Sequence, residues 1–201
     1  MDMADATGEG YPLVLQSGAD PSTLGGVAVC GLTTVGSVGV IAASHLIASL
    51  GLKPMGTVIH PEFPAVALIQ ESVPKHPVRV YQGEEMGVFI SEIQFPQASD
   101  FQFGNTVLEW FQKGGFDRLV IIDGLVSEDL GLKEDGDIWG VASLQSGRDA
   151  LDTVDIQRIQ QGIVTGVSGF LLAEGERQGL DITVLLAECN PVYPDARAAL
   201  I

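Results

Sequence analysis

Basic residues are scarce in this chain: ten lysines and arginines stand against 26 aspartates and glutamates in 201 residues, a formal net charge of −16. A surface that negative repels phosphate backbones and anionic headgroups, so neither nucleic acid nor a membrane surface is an expected partner. The same excess serves solubility without any basic ligand, and charge alone names no partner. Charge of either sign is also sparse, at 18% of residues against 46% hydrophobic, which excludes a disordered or fibrous chain. The length suits one domain with a sizeable core, expected to span residues 1–201 with residues 1–10 disordered.

Cysteine is nearly absent. Cys30 and Cys189 each sit in an apolar run without a neighbouring cysteine or histidine, so neither a disulfide framework nor a zinc site is signalled, and a reducing compartment fits. His45, His60 and His76 are isolated from one another and from the cysteines, so no metal site is expected. The first ten residues are acidic and lack the basic and apolar regions of a secretory signal, which points to the cytoplasm. One long apolar stretch is present. Residues 35–52 approach the length of a membrane span, but Ser37, Ser44, His45, Ser49 and internal glycines favour a buried helix.

The rest alternates strands with helices. Continuous apolar runs predict strands at residues 27–32, 56–60, 67–71, 78–82, 88–93, 118–123, 138–143 and 181–189, the pair 78–82 and 88–93 forming a hairpin. Helical spacing predicts helices at residues 34–51, 101–113 with Asp100 as N-cap, 156–179, whose glycines at 162, 166 and 169 mark either a break or a tight packing face, and 194–201 begun by Pro194. Strands apolar on both faces between helices predict an α/β fold, a largely parallel sheet with helices on both sides. The helix at 34–51 is apolar nearly all round, so its outer side calls for cover, which another subunit could supply.

Candidate chemistry is thin. Gly31 and Gly36 have P-loop spacing between a strand and a helix, but Ser37 and Val38 stand where lysine and a hydroxyl residue are required. The segment Gly36, Ser37 and Gly39 could take an anion through free N–H groups, or its glycines could serve close packing, the reading the missing lysine favours. Asp123 and Glu188 end buried strands, where α/β sheets place ligands, or they could cap turns. Gly166-Val-Ser168-Gly169-Phe170 falls one glycine short of a nucleophile elbow. The acidic run at 134–137 resembles a calcium loop without its glutamate in register. No catalytic group, metal or cofactor is expected.

Seven pieces in order carry a family resemblance. They are Gly31 through Gly39 with the apolar helix behind them, Pro61-Glu-Phe-Pro64, Pro77-Val-Arg-Val-Tyr81, Phe89-Ile-Ser-Glu92, Leu119-Val-Ile-Ile-Asp-Gly124, Gly162-Ile-Val-Thr-Gly166, and Leu185-Leu-Ala-Glu188 followed by Tyr193-Pro-Asp195. In these the chain resembles the proteasome assembly chaperone family of the second-subunit type, whose prokaryotic members were once labelled ATP-grasp or carboxylate-amine ligases. The resemblance implies a three-layer α/β/α fold with a mostly parallel sheet, similar to phosphorylase and hydrolase folds, and a homo-oligomer, a trimer or tetramer, that binds proteasome subunits and has no established catalytic residues. Some archaeal relatives dock through a C-terminal hydrophobic-Tyr-X tail; here Leu200 stands at the tyrosine position, so docking by that route is not expected. The alternative is a nucleoside-phosphorylase-like or carboxylate-amine-ligase-like enzyme using Asp123 and Glu188, with an anion at Gly36 to Gly39.

Overall fold

The computed structural model describes residues 10–16, 25–94, 96–126 and 137–200. The expected disorder at residues 1–10 and the acidic run at 134–137 fall, but for Gly10 and Asp137, outside the described residues. Eleven strands and four helices follow in the order β1 (Leu13–Leu15), β2 (Val27–Leu32), α1 (Val38–Ser49), β3 (Lys53–Val58), β4 (Leu68–Gln70), β5 (Val73–Lys75), β6 (Val78–Gln82), β7 (Met86–Ser91), α2 (Asp100–Lys113), β8 (Arg118–Val126), β9 (Ile138–Ala142), α3 (Gln145–Thr153), β10 (Gln157–Arg158), α4 (Gly166–Gln178) and β11 (Ile182–Cys189).

Nine strands make one sheet in the order β1-β3-β6-β7-β2-β8-β11-β9-β10, and β4 and β5 pair separately. The centre is parallel as expected: β7, β2, β8 and β11 run the same way. The flanks are not, because β6 reaches β7 through a tight turn in which Gly83 N–H donates to Met86 O at 2.7 Å, and a tight turn can only reverse a strand. Strands β1, β3 and β9 likewise pair antiparallel with β3, β6 and β11.

Helices cover both faces, giving the α/β/α layering. On one face α2 and α4 pack over Ala28, Cys30, Phe89, Leu119, Ile121, Ile182 and Val184. Phe89 lies at the centre of that layer, 5.6 Å edge-on from Phe103 and 5.5 Å from Trp110. Edge-to-face geometry adds to what burial alone contributes. On the other face α1 lies over Val29, Tyr81, Val88 and Ile90, and α3 presses Leu151 on Gly140 of β9. Between β6 and the end of β7, Arg79 is 6% exposed, pairs with Glu92, and donates from Nε to the Tyr81 hydroxyl at 3.0 Å.

Several expected boundaries move. The segment 34–51 does not open as a helix: Val35–Ser37 is a 3-10 turn with Gly36 and Ser37 both left-handed (φ 62° and 52°), and α1 begins only at Val38. In α1 Val38, Gly39, Ala42 and Ala43 are buried, whereas His45, Ala48 and Ser49 stay exposed, so within one chain its outer side has no cover. Asp100 is the first helical residue of α2, not its N-cap, which is Ser99. Gly124 does not close β8, because β11 carries the parallel register on to Val126.

The helix expected at 156–179 is a short strand, an extended segment and then α4. Ile159 N–H donates to Gly140 O at 3.0 Å, pairing this stretch with β9, and Gly162 and Gly166 make helix costly before Val167. Pro194 starts no helix either. Asp195 accepts N–H bonds from Asn190 and Ala198 at 3.0 and 3.2 Å, holding a compact turn in place of helical bonding. Helix α3 has little apolar periodicity and is fixed by tertiary bonds: Arg148 donates to Ala142 O at 2.9 Å and Ser146 Oγ to Asp181 at 2.8 Å.

Candidate protein-binding cleft

Parallel strands all end on the same side, and the loops after them enclose a cleft there. It holds about 850 Å³ and lies between the Val35–Ser37 turn after β2, the end of β8, the extended segment 159–166 and the turn 191–194. A side pocket of about 230 Å³ shares Thr34, Gln94, Asp123, Thr165 and Gly166 with it and reaches Asp100 and Ser168.

The turn at Gly36 forms one wall because glycine alone permits it. A Cβ there would stand 2.7 Å from Cys189 Sγ, and the residue is left-handed. Asp195 N–H locks the turn from outside, donating to Gly36 O at 2.8 Å. Burial works against the charge of Asp195, yet the N–H donors of Asn190, Ala198 and Arg197, with the Arg197 cation, outweigh it and hold the carboxyl below its ordinary value. The folded value lies below the unfolded one, so this stabilisation is complete above about pH 4 and fades as pH falls through the lowered value. Asp195→Asn is therefore expected to cost about 1 kcal/mol at pH 7, with the gap to wild type closing in acid. Melting both proteins across pH checks this, and a gap that stays constant into acid contradicts it.

Asp123 forms part of the floor. Its Oδ1 accepts from Gly124 N–H at 2.7 Å and its Oδ2 from the buried Ser168 hydroxyl at 2.6 Å. The contact uses the serine of the incomplete elbow, whose sequence neighbours pointed to a nucleophile and not to a partner for Asp123. No histidine, lysine or arginine is among the described residues lining either space. Both thiols are held protonated: burial, then the Asp195 and Asp123 charges, push Cys189 up, and burial with Asp123 pushes Cys30 far up. A protonated, enclosed thiol is a poor nucleophile.

The sequence candidates thus divide. Gly36, Ser37 and Asp123 line the cleft. Gly39 does not, because from the first turn of α1 it faces the sheet, where a Cβ would come 2.2 Å from Ile122 O. Glu188 does not either, its carboxylate accepting from Asp137 N–H at 3.4 Å. Sequence reasoning missed the rim. Val35, Val126, Ile163, Val192 and Tyr193 line the cleft and remain 36%, 52%, 88%, 84% and 61% exposed. Val35 and Ile163 were hidden there within expected helices, and Val126 and Val192 were single apolar residues between expected elements. Among the described residues no group of histidine, cysteine and carboxylate side chains is arranged to hold a metal, and no helix is long and apolar enough to cross a membrane.

Residues 28–201, nearly the whole sheet and all four helices, match the PAC2 family. The chain belongs to the PAC2 family. Among solved structures it is similar to PbaA of Pyrococcus furiosus, described as an archaeal homolog of proteasome-assembly chaperone, at 28% identity and a TM-score of 0.83 over 94% of this chain and 77% of that one. PbaB of the same organism, described as an archaeal proteasome activator, shares the PAC2 fold at 20% identity and a TM-score of 0.77, over 96% and 85% of the two chains. An uncharacterized protein of Methanocaldococcus jannaschii, MJ0106, is 25% identical over 81% of this chain, and the matched region spans 66% of that relative's length.

Proposed function

We propose that this PAC2 chain is a non-catalytic protein-binding module of the assembly-chaperone kind, acting in the cytoplasm as a homo-oligomer of three or four copies that handles proteasome subunits. The observation that carries the reading is the exposed apolar rim of Val35, Val126, Ile163, Val192 and Tyr193 around an open cleft. Clustered exposed apolar side chains at a concave surface mark a place where another macromolecule is seated. Helix α1, with its uncovered outer side, supports contact between copies, and the description of PbaA as a homolog of a proteasome-assembly chaperone supports the choice of partner.

Light scattering of the purified chain at micromolar concentration is expected to give a mass of three or four copies. Affinity-tagged chain in cells is expected to co-purify proteasome subunits. A strict monomer defeats the self-association, and a purification that returns no proteasome subunit defeats the partner assignment.

A further inference from the structure

The cleft has a charge pattern that its own lining does not balance. Asp100 and Asp123 both line the side pocket, and no lysine, arginine or histidine is among the described residues lining it. Among the described residues Asp123 receives neutral donors, the Gly124 N–H and the Ser168 hydroxyl. Burial pushes the Asp100 carboxyl up, as expected of an acid enclosed without a cation, although its place in the first turn of α2 offsets part of that cost. The Thr34 hydroxyl lines the same pocket, with its oxygen shielded from solvent and no hydrogen-bond partner. Two carboxylates lining one pocket that holds no cation of its own favour a positively charged guest.

Size and rim narrow the guest. At about 230 Å³ the side pocket is smaller than the sites that take whole small molecules, which start at roughly 300 Å³, and has room for one long side chain. It shares lining with the larger cleft, whose exposed edge is apolar: Val35, Val126, Ile163, Val192 and Tyr193. A guest filling both spaces presents a cation on a flexible stem with apolar groups to either side. The chain's net charge of −16 draws such a guest from a distance.

Resting on the protein-binding reading above, we propose that this cleft receives a segment of a partner protein in which one lysine or arginine is flanked by apolar side chains, the cation entering the pocket of Asp100 and Asp123 and the apolar neighbours covering the rim from Val35 to Tyr193. The segment's basic side chain supplies the positive charge that the neutral donors to Asp123 do not, and the rim loses its contact with water. Recognition is electrostatic at the floor and apolar at the edge.

Fluorescence anisotropy with two labelled, capped pentapeptides tests this, one with a central lysine between leucines and one with norleucine in its place. The lysine peptide is expected to bind about tenfold tighter, to weaken as salt rises, and to lose its advantage in the chain carrying Asp100→Asn and Asp123→Asn. Ile163→Ser is expected to weaken both peptides, and because Ile163 is 88% exposed the change leaves the fold intact. Equal binding of the two peptides, binding of neither, or a lysine preference that survives the double substitution overturns the proposal. Co-purification of proteasome subunits is followed in parallel. Full retention by the doubly substituted chain overturns this seat while the assembly-chaperone reading stands, and absence from the wild-type chain defeats that reading while the peptide measurement still decides the seat.

Discussion

Arg79→Met is expected to lower the unfolding free energy by about 3–5 kcal/mol, because it leaves the Glu92 carboxylate enclosed without its cation. The arginine and glutamate side chains are only 7% and 17% exposed, so water cannot replace the lost partner well. Arg79 also donates from Nη1 to His76 O at 2.5 Å and from Nε to Tyr81 at 3.0 Å, so three acceptors lose their donor together. The double change Arg79→Met, Glu92→Leu removes both charges and is expected to recover most of the loss, since a matched apolar pair often substitutes for a buried ion pair at little cost. Urea midpoints of the four proteins in the cycle measure this. A single-variant loss under about 1 kcal/mol would mean the pair behaves as a surface bridge.

Gly39→Ala is expected to destabilise the chain by roughly 3 kcal/mol, through overpacking against backbone that cannot move aside. The added methyl would sit 2.2 Å from the Ile122 carbonyl oxygen, and α1 must lift from the sheet to admit it. Removing a glycine from a helix contributes about 0.5–1 kcal/mol the other way, too little to compensate. The result separates the two readings of this glycine. Under close packing the melting temperature falls equally with and without phosphate in the buffer; under anion binding, stability in phosphate-free buffer stays near wild type and only a phosphate-dependent part is lost.

What the sequence conveyed was carried by the central strands. Val27–Leu32 and Ile182–Cys189 were legible because each is a mostly apolar run of β-forming residues buried on both faces, and Val78–Gln82 because its valines and tyrosine alternate between turn signals. Helix α3 was not legible, since Gln145–Thr153 has little apolar spacing and is held by Arg148 and Ser146 reaching distant partners. The helical spacing of Ile156, Ile159 and Ile163 misled for the opposite reason. The periodicity is real, but strand pairing to Gly140 and the glycines at 162 and 166 override it.

At the cleft, Asp123 and the Gly36 turn were findable because strand ends and glycine turns have fixed places in an α/β sheet. Asp100 was read as a helix cap, and nothing local to it in sequence says that it faces Asp123 across a pocket. The rim residues come from three separate loops and the end of β8, and only the folded chain shows that Val35, Val126, Ile163 and Val192 line one cleft. Glu188 had the same local credentials as Asp123, and the difference lies in the Asp137 N–H that occupies it.

The strand order bears on how the chain is made. Strand β8 finds one neighbour in β2, already synthesised, but its other is β11, the last strand of all. While the ribosome is adding the intervening segment, the edge of Leu119 to Ile122 has no permanent mate, and an unmated apolar edge invites pairing with other nascent chains. The locking turn at Asp195, which grips Gly36 from far along the chain, comes later still. Native structure here therefore closes only once β11 and the Asp195 turn have been made, and until then this chain would itself benefit from a holdase.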